Sequence, residues 1–237
     1  MAGDIVPSPN IWHWPEVYET ENRAQDVEGA VWSALAEICD WSGRDVVDVG
    51  CGDGFHLPRF AATARTVTGV EPHEPLVRRA RARSAGLPGV TVLSGSAQRL
   101  PLPDASRDLV HARTAYFFGP GCEPGIREAD RVLRPGGMLA IVDLDTTVGP
   151  YGDWMRADLP SYRPAEVDAF FDRAGFDCRR VRTAWRFTDR ASLVAVLRIE
   201  FSARVAARAV DEVPGLEFPV GYRVLSRRKP VGVIAGR

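Results

Sequence analysis

The stretch VVDVGCGDGF, residues 46–55, combines an acid inside an apolar run with three glycines at alternate positions. Asp48 interrupts the run, and Gly50, Gly52 and Gly54 follow it. Glycine adopts positive φ angles and lets a ligand lie against bare backbone. In an open parallel sheet, ligands bind beyond the carboxyl ends of the strands, which is where this loop would lie. The pattern predicts a ligand-binding turn, and the acid favours a ligand that carries a positive charge.

The same loop excludes two common ligands. A dinucleotide fingerprint, G-x-G-x-x-G, would need its third glycine at Phe55, so the match fails. The sequence has no phosphate loop of the G-x-x-x-x-G-K-[ST] type, and its single lysine, Lys229, stands far from the glycines. The acid at position 48 would also repel a pyrophosphate.

A second acid follows the next predicted strand, TVTGV, at residues 66–70. Glu71 ends that strand, 21 residues after Gly50. A carboxylate at this place can accept hydrogen bonds from both hydroxyls of a ribose. An exposed acid at a strand end is an equally ordinary interpretation of Glu71 alone. Together with the glycine loop, however, Glu71 favours a nucleoside cofactor.

Strands and helices alternate along much of the chain. The predicted strands are residues 45–49, 66–70, 90–93, 108–112 and 138–144, followed by 176–187 and 218–228. The predicted helices cover residues 25–41, 57–64, 75–84, 124–133, 166–174 and 189–209. Near-continuous apolar strands that alternate with helices predict an α/β fold with a parallel sheet covered by helices on both faces.

The composition restricts the class of protein. The chain has 237 residues, 45% of them hydrophobic, with a formal net charge of -1, so it can bury one core and is not drawn to nucleic acid or membrane. No apolar run approaches the ~20 residues that span a bilayer. The four cysteines lie far apart, which favours neither disulfides nor a metal site. We expect a cytoplasmic domain at residues 25–237, preceded by an irregular arm or lid at residues 1–24, and no metal.

Four motifs in this order resemble those of a known family: VVDVGCGDG, GVEP, SGSAQRLPLPDASRDLV and RVLRPGGMLAIVD. They look like the successive motifs of the class I S-adenosylmethionine-dependent methyltransferases, in particular the small-molecule "type 11" branch. The resemblance runs from about Val46 to Asp143. It implies a Rossmann-like seven-stranded sheet in the order 3-2-1-4-5-7-6 with the last strand antiparallel. It also implies S-adenosylmethionine as cofactor and S-adenosylhomocysteine as product.

The resemblance further implies which residues bind the cofactor. Eleven positions carry over from the family motifs: Asp48, Gly50, Cys51, Gly52, Glu71, Pro72, Ser96, Ala97, Gln98, His111 and Ala112. The glycine loop would line the methionine part with Asp48 on its ammonium side, Glu71 would bind the ribose, and residues 96–98 would face the adenine. Two positions depart from the family pattern. Ser96 stands where aspartate is common, which should weaken adenine binding, and Arg107 stands where an aromatic is usual.

The chemistry implied by the resemblance needs few special side chains. Methyl transfer from a sulfonium is an in-line displacement, and collinear positioning of nucleophile, methyl and sulfur supplies most of the acceleration. A general base is needed only when the acceptor is protonated at working pH. His111, at a strand end in the crevice, is the candidate base, although a histidine that contacts only cofactor or backbone is the ordinary interpretation. Asp143 and Asp145 are alternative bases.

Aromatic residues are the candidates for contact with the methyl acceptor. They are Tyr116 and Phe117 after the fourth strand, and Trp14 and Tyr18 in the arm. Residues 144–165 should form a loop on the acceptor side. The helix at 189–209 should cover the site or form a dimer surface, in a protein that is a monomer or a homodimer.

The acceptor is the least determined part. The fourth strand ends in HART and not in the Asn/Asp-Pro-Pro-Tyr that the family uses for exocyclic amines. With a neutral net charge this favours a small molecule, methylated at an O, N or C atom, over nucleic acid. Three alternatives stay open: a non-catalytic S-adenosylmethionine-binding accessory protein, non-methylating chemistry on the same cofactor, and a nucleotide-cofactor oxidoreductase, which the missing third glycine disfavours.

Overall fold

The computed structural model describes residues 7–231, so residues 1–6 of the predicted arm and 232–237 of the predicted domain lie outside the described residues. Seven strands form one sheet: β1 (Asp45–Val49), β2 (Thr66–Glu71), β3 (Val90–Ser94), β4 (Arg107–Arg113), β5 (Leu133–Leu144), β6 (Asp177–Arg186) and β7 (Glu217–Arg228). Their order in the sheet is β3-β2-β1-β4-β5-β7-β6, which confirms the predicted topology.

Strand direction brings three carboxyl ends together. β1 is parallel to β2 and β4, whereas β7 is antiparallel to both of its neighbours. Val49, the last residue of β1, pairs with Val70 of β2 on one side and with Ala112 of β4 on the other. The loop that follows β1 therefore lies between Glu71 and Arg113, the last residues of those two strands.

Ten helices are present in the described part of the chain. They are α1 (Pro9–His13), α2 (Pro15–Ala24), α3 (Ala30–Ile38), α4 (Leu57–Ala61), α5 (Glu74–Ser84), α6 (Glu123–Val132), α7 (Tyr151–Asp158), α8 (Pro164–Arg173), α9 (Arg190–Glu200) and α10 (Ala203–Glu212). Two apolar clusters lie on the two faces of the sheet, because alternate strand residues point to opposite sides. Val46 joins the cluster that contains Trp32, and Val47 joins the cluster that contains Phe171.

The beginning of the chain differs from the prediction. Within residues 7–24, which we predicted to be irregular, α1 and α2 each begin with a proline at the first helical turn, where its missing N–H costs nothing. The helix predicted from residue 25 begins only at Ala30. Asp26 and Gly29 adopt φ angles of 46° and 70°, which end the preceding segment. The Asp26 carboxylate then accepts hydrogen bonds from the backbone N–H of Val31 at 3.1 Å.

Two segments in the second half of the chain also differ from the prediction. The helix predicted over 189–209 is two helices, α9 and α10, with Asp189 capping α9 through the backbone N–H of Ser192. The break falls at Ser202, whose backbone N–H donates to Asp158 Oδ2 at 2.9 Å. The segment predicted as a loop at 144–165 contains α7, because Tyr151 and Trp154 are buried in the core at helical spacing.

Candidate functional site

A cavity lies at the carboxyl edge of the sheet, around the loop that follows β1. Gly50 and Cys51 begin this loop, and their backbone N–H groups donate to the carbonyl of Val70 at 2.8 and 3.2 Å. Gly50 has a φ of 71°, and a Cβ atom there would lie 2.6 Å from the Cβ of Ala115. Position 50 therefore accepts only glycine, for reasons of both backbone conformation and space.

Glu71 connects β2 to the glycine loop. Its Oε2 accepts a hydrogen bond from the backbone N–H of Gly52 at 3.0 Å, and its Oε1 accepts one from His73 N–H at 2.9 Å. Burial raises the pKa of the Glu71 carboxyl. A carboxylate offers about four lone-pair positions, so two acceptor positions remain for a ligand that carries neighbouring hydroxyls.

The wall next to Glu71 consists of predicted adenine-side residues. Pro72, Ser96, Ala97 and Gln98 all line the cavity. The indole of Trp12 stacks on the imidazole of His73, with ring centroids 4.5 Å apart and an interplanar angle of 10°. Flat rings and short polar side chains at this end fit a planar heterocycle.

The N-terminal helices cover the cavity. Ile11 and Trp12 of α1 and Tyr18 and Asn22 of α2 are lining residues. The Cδ1 atom of Ile11 approaches so closely that a Cβ atom on Gly52 would lie 2.8 Å from it. Ile11 and Asn22 were missed in the sequence because residues 1–24 were interpreted as an irregular arm or lid. The prolines at the starts of the two helices were the available signal.

Asp48 and His111 lie beneath the floor of the cavity and do not line it. His111 is fully buried, and its Nδ1 is 2.7 Å from Asp48 Oδ1. Its ring packs against Trp32 and Phe60, with centroids 6.2 and 4.9 Å away. His111 Nε2 has no hydrogen-bond partner among residues 7–231. The two residues therefore pair with each other inside the sheet, and this geometry gives no support to a base role for His111.

Eight of the eleven predicted cofactor residues line the cavity: Gly50, Cys51, Gly52, Glu71, Pro72, Ser96, Ala97 and Gln98. Asp48, His111 and Ala112 do not, since all three are buried within strands. Of the predicted acceptor residues, Tyr18 and Tyr116 line the cavity, Phe117 is buried in the core, and Trp14 is 57% exposed outside the cavity.

The alternative bases are held in ion pairs away from the cavity. Asp143 Oδ2 lies 2.6 Å from Nη2 of Arg223, and Asp145 Oδ2 lies 2.7 Å from Nη1 of Arg180. Asp143 connects β5 to β7, and Asp145, which follows β5, connects it to β6. Neither acid lines the cavity. This arrangement gives them a structural function in the sheet.

The end of β4 and the segment after it supply cavity residues that the sequence analysis missed. Arg113 and Thr114 line the wall beside Tyr116, and Thr114 and Tyr116 have φ angles of 44° and 57°. Non-glycine residues in this left-handed region store strain, which is common at ligand sites. His56 lines the same cavity. Removal from water, with the charge of Arg113, keeps the pKa of its imidazole well below the usual range, so the ring is neutral at neutral pH.

Within residues 7–231, no group of three His, Cys, Asp or Glu side chains could hold a metal ion. None of the helices described there has the length and apolar character needed to cross a bilayer.

The sheet order, the glycine loop and the buried carboxylate of Glu71 around one cavity define a Rossmann-like protein with a nucleoside-cofactor site. The family profile described as "Methyltransferase domain" matches residues 47–141. The 27-O-demethylrifamycin SV methyltransferase of Amycolatopsis mediterranei is 32% identical over 219 residues, which are 80% of this chain and 78% of that protein.

A "Probable S-adenosylmethionine-dependent methyltransferase" of Mycolicibacterium smegmatis is 38% identical over 156 residues, which are 62% of this chain and 56% of that protein. The chain thus spans little more than half of that relative. The crystal structure of the [4+2]-cyclase SpnF shares the fold, with a TM-score of 0.60, 22% identity and coverage of 98% of this chain and 100% of that chain. The chain belongs to the class I S-adenosylmethionine-dependent methyltransferases, as its motifs predicted.

The residues that are present fit the cofactor of this family. The Gly50 position leaves a cradle that any side chain would fill, and Glu71 presents a buried carboxylate with free acceptor positions. These are the features that hold a nucleoside and let an attached chain lie against bare backbone.

Proposed function

We propose that this protein transfers a methyl group from S-adenosylmethionine to an O, N or C atom of a small molecule by in-line displacement. The observation that carries the proposal is the shared cavity of the Gly50–Gly52 loop and the Glu71 carboxylate, in a chain of the methyltransferase family. When bound, S-adenosylmethionine supplies an electrophilic methyl group on a sulfonium.

Each wall of the cavity has a role in this proposal. Glu71 holds the ribose hydroxyls, and Pro72 with residues 96–98 holds the adenine. The glycine loop provides room for the methionine part. Trp12 and Ile11, together with the rest of the arm at residues 7–24, act as a lid that excludes water from the cavity.

The acceptor contacts the side of the cavity formed by α2 and the segment after β4. Tyr18, Asn22, Thr114 and Tyr116 provide hydroxyl, amide and aromatic surfaces there, and Phe118 lines the same cavity while 41% exposed. This mixture suits a small, partly apolar molecule. The relative from Amycolatopsis is named for methylation of a rifamycin oxygen, which supports a small-molecule acceptor.

Catalysis in this proposal depends on positioning more than on a dedicated base. Holding the reacting atoms in line removes the entropic cost of bringing them together. His56 contributes a neutral imidazole on the wall, which adds no repulsion toward a cationic ligand. His111 is not retained as the base because its ring does not reach the cavity.

A second function is favoured by one comparison. The fold is shared with a structure titled as a [4+2]-cyclase, so non-methylating chemistry in the same cavity is a specific alternative. The other alternative is a non-catalytic accessory protein that binds S-adenosylmethionine. The cytoplasmic location, the absence of nucleic-acid or membrane partners and the monomeric or homodimeric state stay predictions from the sequence.

Transfer of label from methyl-labelled S-adenosylmethionine to a panel of small acceptors tests the proposal. We expect labelled product from hydroxyl-, amine- or enol-bearing molecules, together with S-adenosylhomocysteine in equal amount. The variant Glu71→Gln should lose most of this activity, whereas Glu74→Gln, an exposed neighbour, should keep it. Tight cofactor binding with no label transferred to any acceptor would favour the accessory protein. Acceptor conversion without label would favour the cyclase-like chemistry.

A further inference from the structure

One arginine joins the glycine loop to the N-terminal lid. Arg83 lies near the end of α5, and its Nη2 donates to Asp53 Oδ2 at 2.7 Å and to Glu19 Oε2 at 2.9 Å. Its Nε donates to the backbone carbonyl of Asp53 at 3.1 Å. Asp53 is a lining residue of the cavity, whereas Glu19 belongs to α2, one of the two helices that cover it. A single guanidinium therefore connects two walls of the candidate site.

The helix that carries Arg83 is fixed to the body of the protein. Val77 and Ala80 of α5 are fully buried in the core. A Cβ atom on Gly54 would lie 3.1 Å from the Cα of Ala80, so the glycine loop packs directly against this helix. The guanidinium of Arg83 also lies 5.6 Å from the ring centroid of Phe55, in the same loop. The loop and the core together therefore hold the guanidinium in a defined place.

The contact with Asp53 fixes the conformation of the loop. Asp53 is 2% exposed, and its second oxygen, Oδ1, accepts a hydrogen bond from the backbone N–H of Phe55 at 3.2 Å. A buried carboxylate is unfavourable unless a cation and hydrogen bonds compensate for its removal from water. Arg83 provides this cation. The ion pair therefore stabilises the loop between Gly52 and Gly54.

The contact with Glu19 acts on a different face of the lid helix. Tyr18 and Asn22 are four residues apart, so they share one face of α2, and both line the cavity. Glu19 and Arg83 meet beside this face with side chains that are 23% and 27% exposed, so water screens their ion pair only in part. Hydrogen bonds from Arg23 and then Arg83 lower the pKa of Glu19, which keeps the carboxylate charged at neutral pH.

A second ion pair joins the same two helices. Arg79 Nη1 lies 2.8 Å from Glu16 Oε1, but the side chain of Glu16 is 74% exposed. Ion pairs in contact with water contribute little. The attachment of α2 to α5 therefore depends mainly on Arg83.

We propose that Arg83 is a positioning residue of the cofactor site, which holds the lid helix α2 against the glycine loop and thereby slows the release of bound cofactor. This inference rests on the proposed function, because the ligand is the same S-adenosyl cofactor. Loss of the Glu19 carboxylate releases α2 and leaves the ion pair between Arg83 and Asp53 in place. Substitution of Glu19 therefore affects the lid alone, whereas substitution of Arg83 affects the lid and the loop.

The test measures how fast S-adenosylhomocysteine leaves the protein. Association and dissociation rate constants are measured by surface plasmon resonance on the wild type, Glu19→Gln, Arg83→Gln and Arg83→Lys. We expect Glu19→Gln and Arg83→Gln each to raise the dissociation rate constant about 3- to 10-fold, the range for one partly buried ion pair, without lowering the association rate constant. Adding Glu19→Gln to Arg83→Gln should give no further increase, because both remove the same contact. Arg83→Lys keeps the charge and should retain part of the slow dissociation.

A matched control is available on the same glutamate. Arg23 lies 2.6 Å from Glu19 but within α2 itself, so Arg23→Gln should leave both rate constants unchanged. Hydrogen exchange of the ligand-free protein gives a second readout. The amides of α2 should exchange about 3- to 10-fold faster in Glu19→Gln than in the wild type, whereas those of α3 should not change.

Several results would overturn the proposal. One is a Glu19→Gln protein with the dissociation rate constant of the wild type, even if its α2 amides exchange faster. Another is an Arg23→Gln protein that releases S-adenosylhomocysteine as fast as Glu19→Gln does. Since Glu19→Gln keeps the ion pair of Asp53, these comparisons hold even if Arg83→Gln fails to fold. A wild type that binds no S-adenosylhomocysteine overturns the proposed function itself, and the exchange of the α2 amides then still shows whether Arg83 holds the lid.

Discussion

Asp48 and His111 are register partners on the adjacent strands β1 and β4, and their side chains meet inside the sheet with Oδ1 and Nδ1 2.7 Å apart. Both side chains are almost completely buried. The acid in the apolar strand is therefore explained by an internal partner one strand away. Because β1 leads directly into the glycine loop, this pair supports the loop from below and makes no contact with the cavity.

Removing the acid should destabilise the protein. In Asp48→Ala, the His111 Nδ1 loses its buried partner, which should lower the free energy of unfolding by about 3 kcal/mol. Asp48→Asn keeps an acceptor oxygen and should cost less. Urea denaturation measures both values, with Asp40→Ala, an exposed acid, as the control. An Asp48→Ala protein as stable as the wild type would mean that the pair contributes nothing.

Two glutamates, the buried Glu21 of α2 and the partly buried Glu200 of α9, should make stability depend on pH. Burial raises the pKa of Glu21 and of Glu200, and Glu200 also accepts hydrogen bonds from Asn10 and Tyr151. The folded state thus keeps a proton that the unfolded chain releases near pH 4.5. The stability that these two glutamates contribute is complete below pH 4.5. It is lost as the pH rises through their pKa values in the folded protein.

Between pH 5 and pH 8, the free energy of unfolding should therefore decrease by about 1–2 kcal/mol less in Glu21→Gln than in the wild type. Chemical denaturation at several pH values measures the slope. Glu37→Gln, on the exposed side of α3, is the control and should keep the wild-type slope. A Glu21→Gln slope identical to that of the wild type would contradict a raised pKa of Glu21 in the folded state.

The stacked rings of Trp12 and His73 should contribute to the affinity for S-adenosylhomocysteine. Trp12→Ala removes the ring that lies on His73 and opens one wall of the cavity. We expect S-adenosylhomocysteine to bind about tenfold more weakly, since a stacked aromatic contact and its buried area are lost. Trp14→Ala, two residues away and outside the cavity, should change affinity less than twofold. Equal effects of the two substitutions would show that α1 is not a lid.

Gly50 should be intolerant of any side chain. Gly50→Ala places a Cβ atom 2.6 Å from Ala115 at a φ of 71°, so the loop must move and cofactor binding should be lost. Gly43 has a similar φ of 66° but nothing within 4 Å of the added atom. Gly43→Ala should therefore cost only about 1–2 kcal/mol of stability and leave binding intact. Calorimetry measures the cofactor affinity of both variants, and thermal unfolding measures their stability.

Much of the fold could be predicted because its signals are local. The strands of the parallel half are short apolar runs, and glycine turns mark where they end, so their order along the chain was readable. The start of α3 was not readable, because apolar residues continue at helical spacing through Asp26 and Gly29. Only the left-handed φ angles of these two residues interrupt the helix.

The candidate site also has residues that local sequence motifs predict and residues that they do not. Gly50 and Glu71, whose positions follow from backbone motifs, line the cavity, and their role in cofactor binding stays a prediction. His111 does not line it, because it lies two residues before the carboxyl end of β4 and the cavity is reached only at the last residue of that strand, Arg113.

The proposed function depends first on the binding of an S-adenosyl nucleoside by Glu71 and the glycine loop. Calorimetric titration of the wild type and Glu71→Ala with S-adenosylhomocysteine, with NAD as a control ligand and Glu74→Ala as a control variant, tests it most directly. We predict micromolar binding of S-adenosylhomocysteine that Glu71→Ala weakens by roughly 10-fold or more and Glu74→Ala leaves unchanged. Folded wild-type protein that binds NAD and no S-adenosyl ligand would contradict the account.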